Sequence, residues 1–153
     1  LESQLSTAEF IFLKILVNLL QSIKQVNLEK LANVLPLAIK FESRRKRIQR
    51  FLAIPHFIIE NIWLPLIKQL IESYLSPEEI IYLAIDRTNW GGEINLLVIS
   101  LIWQKRALPI FWQLLPKLGS SNLAEQQNLL SQAIPLFKNY KICVLGDREF
   151  CSV

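Results

Sequence analysis

Through the first half of the chain, apolar and polar positions recur at helical spacing. From Ala8 to Gln25 the polar residues Lys14, Asn18, Gln21 and Gln25 follow one another at steps of four, three and four. This leaves one polar stripe on an otherwise apolar rod, so a largely buried helix is expected. A second, short helix is predicted over Asn27 to Leu35, with Asn27 as N-cap, Glu29 in the first turn and Pro36 as the stop. Leu28, Leu31, Ala32 and Leu35 give it one apolar face. After the Pro36 break, Phe41 to Leu52 turns Phe41, Ile48, Phe51 and Leu52 to one side and Lys46, Arg47 and Arg50 to the other. Ile59 to Tyr74 is a further amphipathic helix, kinked or restarted around Pro65. The turn Ser76-Pro77-Glu78-Glu79 then separates a helical region, residues 1–75, from residues 76–153.

Past that turn the period changes. Ile80 to Thr88 reads as a strand, Gly91-Gly92 as a turn, and Glu93 to Trp103 as a second strand. A tight polar link, Gln104-Lys105-Arg106, leads to a third strand, Ala107 to Leu115, where Pro109 argues for an edge position. Three strands with short links form an antiparallel meander. Asn122 and Glu125 have capping-box spacing, opening a helix whose buried side is Leu129, Leu130, Ala133, Leu136 and Phe137, with Pro135 bending its last turn. A fourth strand, Lys141 to Gly146, follows a helical crossover and is therefore expected to run parallel to the first. The fold class is α+β/α/β: a helical region followed by a mixed sheet of three antiparallel strands, a helix and a parallel fourth strand.

Composition narrows the classes. With 153 residues, 52% of them hydrophobic and 20% charged, the chain is globular and large enough for one domain with a small accessory. It begins at Leu1 rather than a methionine and stops at Val153, soon after Asp147, the layout expected of a piece of a longer protein. Cys143 and Cys151 are the only cysteines. Neither stands at zinc-ligand spacing from another Cys or His, and Cys143 inside an apolar strand reads as a small buried thiol. A disulfide framework is not indicated, and a reducing cytoplasm is the default location. The most apolar early segment, Phe10 to Leu20, is interrupted by Lys14 and Asn18 and is too short for a membrane span of about 20 residues. His56, the single histidine, reads as linker or packing.

The net charge of +4 is concentrated between Arg44 and Arg50. A localised basic cluster suggests a polyanionic partner; the plainer alternative is a solvated helix face. Three short helices with a basic third match a helix-turn-helix-like DNA-binding layout, a small helical bundle being the other reading. Arg44, Arg45, Lys46, Arg47 and Arg50 are the candidate DNA contacts.

Two apolar runs stop on an aspartate: Ile80-Ile-Tyr-Leu-Ala-Ile85-Asp86 and Lys141-Ile-Cys-Val-Leu-Gly146-Asp147. If their strands are parallel neighbours, Asp86 and Asp147 meet across one spacing of about 4.8 Å. Carboxylates that close must share a proton or a cation, and magnesium or manganese is the expected ion. Paired ions of this kind serve metal-assisted phosphoryl transfer. Alternatively each aspartate merely ends a strand and caps a turn. Arg87 and Arg148, one after each aspartate, are local charge partners or contacts for a phosphate.

Ile85-Asp86-Arg-Thr-Asn-Trp90 together with Gly146-Asp147-Arg-Glu-Phe150 resembles the first two acidic motifs of DDE transposases of bacterial insertion sequences. The likeness is to the branch whose third motif carries tyrosine, arginine, glutamate and lysine. Leu108-Pro-Ile-Phe-Trp112 through Ser121-Asn122 also looks like that branch, as does the basic helix from Ser43 to Leu52. The resemblance covers most of the chain from Leu31 onward. It implies a ribonuclease H-like core, with Asp86 and Asp147 as catalytic metal ligands for Mg2+ or Mn2+, and DNA at transposon ends as the partner. It also implies that the third acidic residue lies beyond Val153, so that the fragment is inactive alone. Without a fifth strand the edge beside the fourth strand is expected to cause poor solubility or a homodimer. A non-catalytic DNA-binding protein or inhibitor occupying the same DNA, and a non-transposase nuclease on the same core, are the alternatives. No membrane association is expected.

Overall fold

A computed structural model describes residues 4–150 of the chain, the side chain of Trp90 excepted. The chain divides into two compact units, Leu1–Leu66 and Ile67–Val153.

In the first unit, helix α1 spans Thr7–Ile23, α2 Leu28–Val34 and α3 Phe41–Leu52. Ser6 caps α1 in a reciprocal capping box with Glu9, a start signal one turn ahead of the periodicity that marks the helix in the sequence. Asn27 caps α2 as expected, its side chain accepting from the Lys30 amide at 3.0 Å. Phe12, Leu16, Leu31, Ala32, Leu35, Ile48 and Phe51 form the core. The α1 face is less buried than its narrow polar stripe implied: Ile11 and Val17 are exposed, and so is Leu52 of α3. The reason is that α2 and α3 are short and cover one side of α1 only.

A π-helical turn, Ile59–Trp63, runs directly into α4, Leu64–Tyr74. Pro65 stands at the second position of α4, where the widened turn before it relieves the missing amide donor. Ile67 and Ile71 of α4 are buried, and the Tyr74 ring lies 5.5 Å from that of Trp103. This packing draws most of α4 into the second unit, so the division falls within the helix, ahead of the turn at Ser76.

The second unit is built on a four-stranded sheet of order β3-β2-β1-β4. Its strands are β1, Ile80–Trp90; β2, Ile94–Trp103; β3, Arg106–Leu115; and β4, Lys141–Leu145. β1 and β2 pair antiparallel, as do β2 and β3, while β4 runs parallel to β1. Gln104 and Lys105, both at positive φ, close the β2–β3 hairpin. β3 is an edge strand, and Pro109 sits where the β2–β3 register shifts between Ile99 and Ser100.

Helix α5, Leu123–Ala133, opens on a capping box between Asn122 and Glu125, and a 3-10 turn, Ile134–Phe137, takes up Pro135. α5 packs on β2 and β3. The covered side of the sheet contains Leu83, Ile85, Leu97, Ile99 and Leu101, with Leu129, Ala133 and Phe137 of the helical layer. Of the alternate residues of β1 and β2, Tyr82, Asp86, Ile94 and Ile102 point to the other side and are exposed.

Candidate functional site

The register of β1 against β4 runs from Ile80 opposite Lys141 to Ala84 opposite Leu145. Asp86 and Asp147 each follow two residues after the last pair of that register. A Cβ on Gly146 would stand 3.2 Å from Ile85 Cγ2, so the chain leaving β4 still lies against β1 at this point. Both aspartates are exposed. Each carboxylate is held by a local amide: Asp86 Oδ1 accepts from the Arg87 N–H at 2.8 Å, and Asp147 Oδ1 from the Glu149 N–H at 2.8 Å. Asp147 also opens the 3-10 turn Arg148–Phe150, its carbonyl accepting from the Phe150 amide at 3.1 Å. The turn-capping role open to an aspartate at a strand end is thus filled at position 147.

Arg87 points to the covered side. Its Nε donates to Glu149 Oε1 at 2.6 Å and its Nη1 to Asn95 Oδ1 at 3.3 Å. The Ser121 amide donates to the same Glu149 oxygen at 3.1 Å, and Gln126 Nε2 reaches Ser121 Oγ at 3.1 Å. Asn95, buried in β2, completes the set by donating to the carbonyls of Lys117 and Gly119 at 2.8 and 2.9 Å. This network ties the ends of β1 and β4 to the loop before α5. The Arg87 guanidinium, with help from the Ser121 amide, holds the Glu149 carboxyl below the usual carboxylate range. Glu149, and more weakly Asp147 and Asp86, raise the Arg87 pKa in return. All three carboxylates therefore act on one guanidinium.

Sequence reasoning assigned no role to Glu149 or Asn95. A signal for Asn95 exists, since an amide inside an otherwise apolar strand must find buried partners. Nothing comparable marks Glu149, whose partner lies on a strand far away in sequence. Arg148 is exposed in the turn, and Cys143 is half-buried rather than fully enclosed. Among the described residues, no group of three or more His, Cys, Asp or Glu is placed to hold a metal ion.

On α3 the basic residues separate into two sets. Arg44 Nη1 donates to the carbonyls of Asn33 and Leu35 at 3.2 Å each, satisfying the end of α2. Arg45 Nε meets Glu29 Oε1 at 2.9 Å and lowers the Glu29 pKa. These two residues fasten α3 to α2. Lys46, Arg47 and Arg50 are exposed, with the Arg47 guanidinium 5.2 Å from the Phe12 ring centroid. His56 faces Glu9 Oε2 at 3.6 Å.

No helix among the described residues is long and apolar enough to cross a membrane. Comparison with family models, with curated proteins and with solved structures finds no match to this chain.

Proposed function

We propose that the second unit is part of a ribonuclease H-like core of a DNA transposase, and that the first unit binds the DNA on which that core acts. The observation that supports this reading is the parallel β1–β4 register, which ends at Ala84 and Leu145, two residues before each aspartate. The likeness of both acidic motifs to those of DDE transposases supports it, as does the exposed basic set Lys46, Arg47 and Arg50 on α3.

The residues fit a magnesium-type ion. Each aspartate is oriented by a backbone amide through one oxygen, and a hard ion of this size is commonly held by one or two carboxylates plus water and substrate phosphate. When bound, such an ion supplies activation of a nucleophile and stabilisation of a leaving oxygen in phosphodiester chemistry. The chain's own groups orient the two carboxylates and, through Arg87 and Glu149, fix the backbone on which they stand. Glu149 is engaged by Arg87 and Ser121, so it does not serve as a third ligand. In this reading the chain by itself binds the ion weakly and does not cut DNA.

Manganese titration followed by electron paramagnetic resonance tests the pair directly. Disturbing groups that only orient metal ligands costs about 10–100-fold in affinity, so Asp86→Asn and Asp147→Asn are each expected to weaken binding by at least about tenfold. Unchanged binding in either variant removes the metal site. DNA binding without any ion dependence would then favour the non-catalytic DNA-binding reading, which the two-carboxylate set also supports.

A further inference from the structure

The first unit contains a cavity of about 220 Å³ between the start of α1 and α3, which the DNA-binding reading does not use. Ala8, Phe12, Phe51 and Ile54 give it an apolar lining, and Arg47 and Arg50 bring positive charge to it. We propose that this cleft receives an unstacked base of a nucleic-acid strand while Arg47 and Arg50 meet the flanking phosphates; the proposal rests on α3 being a DNA-binding helix.

Three features select this occupant. The cleft is apolar and backed by the core rings Phe12 and Phe51, each 5% exposed and packed edge to face at 5.1 Å, a rigid surface that suits a flat heterocycle. Both arginines are exposed, and neither fastens α3 to α2 as Arg44 and Arg45 do. Arg47 already lies over the Phe12 ring, and a guanidinium plane that stacks on a ring stacks equally on a base while facing a phosphate. Charge complementarity therefore calls for an anionic ligand with a planar apolar part.

Glu9 decides between a nucleotide and an acidic peptide. It shares the lining of the cleft, and Ser6, with a smaller contribution from His56, lowers its pKa and favours the ionised form. Ser6 and His56 all engage one oxygen, Oε2. A carboxylate here repels an acidic side chain but accepts a hydrogen bond from the exocyclic amine of adenine, cytosine or guanine.

The test compares binding of the whole chain to a single-stranded oligonucleotide carrying 2-aminopurine and to the matched paired duplex. Both are measured at one fixed salt concentration, because phosphate contacts make affinity salt-dependent. The single strand is expected to bind on the order of tenfold more tightly, the scale of one base stacked on an aromatic site, with a change in 2-aminopurine fluorescence. Ala8→Trp places an indole in the cleft from an exposed position and is expected to abolish that preference and the fluorescence change. Arg50→Gln is expected to weaken binding of both forms. Circular dichroism checks that each variant is folded. Equal affinity for the two forms, or a preference that survives in folded Ala8→Trp, overturns the cleft assignment while leaving the basic helix as a duplex contact. Absence of any DNA binding at low salt removes the helix reading together with the cleft. Binding of a glutamate- and phenylalanine-containing peptide that Ala8→Trp blocks, with DNA unaffected by the same change, gives the cleft to a protein partner and likewise overturns the proposal.

Discussion

Asp86 and Asp147 close apolar runs of the same design and are each followed by arginine, yet the backbone beyond them behaves differently. β1 continues past Asp86 to Trp90 in register with β2, so strand alternation sends Arg87 to the covered side. β4 ends at Leu145, and the 3-10 turn opened by Asp147 leaves Arg148 exposed while Glu149 meets Arg87. One Asp-Arg pair is embedded in the sheet and the other stands on a turn. What an arginine does after an aspartate is decided by whether the strand continues, not by the pair itself.

The largest expected effect lies at the point where the two ends depart from one another. A Cβ on Gly146 would come 2.9 Å from Phe150 Cβ and 3.2 Å from Ile85 Cγ2, distances that force the turn or β1 to shift. Overpacking of this kind costs about 1–3 kcal/mol, so Gly146→Ala should lower the midpoint of urea unfolding by a corresponding amount. It should also weaken the manganese binding assigned to Asp147, because the turn carries that residue. An unchanged midpoint would show that the turn is looser than its packing implies.

Next comes the link that joins the two ends. Glu149→Ala removes a carboxylate held by Arg87 and Ser121 and leaves their donors to find other partners, a loss of about 2 kcal/mol for hydrogen bonds to a charged group. Arg148→Ala, at an exposed position, should stay within about 0.5 kcal/mol. The pH dependence sharpens the contrast. Because the folded protein holds the Glu149 pKa below its ordinary value of 4.5, its contribution is fully present above that pH and is lost as pH falls through the lowered folded value. Glu149→Gln should therefore flatten the acid limb of the stability profile, while Arg148→Gln leaves it unaltered. An acid limb that keeps its slope in Glu149→Gln would mean that other carboxylates set it.

Much of this arrangement follows from local chemistry. The caps at Asn27 and Asn122, the stop at Pro36, the edge position of Pro109 and the parallel β4 each depend on residues close together in the chain or on a connection rule. They were expected from the sequence and are present in the structure. The features that local reasoning did not yield are of another kind. Arg87–Glu149 and Arg44 on the α2 carbonyls join residues whose proximity exists only once the elements have packed. A basic run shows charge but not which of its members packing will consume, so Arg44 and Arg45 looked equivalent to Arg47 and Arg50. The extent of β1 was also underestimated, since Asn89 and Trp90 gain their strand geometry from β2 rather than from their own pattern.

The smallest expected difference separates the aspartates themselves when no ion is present. Asp147 accepts the Glu149 amide and begins a turn, so Asp147→Ala leaves a donor uncapped at a cost of about 1 kcal/mol, the usual scale for a side-chain cap. Asp86 is exposed within a strand whose backbone pairing to β2 does not depend on its carboxylate, and Asp86→Ala should fall within about 0.5 kcal/mol. Two carboxylates facing one another also repel, which reduces the apparent cost of removing either. The double variant then distinguishes proximity from independence. If the aspartates are level on adjacent strands, the loss in the double variant should exceed the sum of the single losses, because each single removal relieves the same repulsion and the double relieves it only once. Adding the single effects in metal-free buffer, with saturating chelator, gives the reference. A double variant that matches their sum would place the carboxylates too far apart to share an ion, whatever the register of their strands.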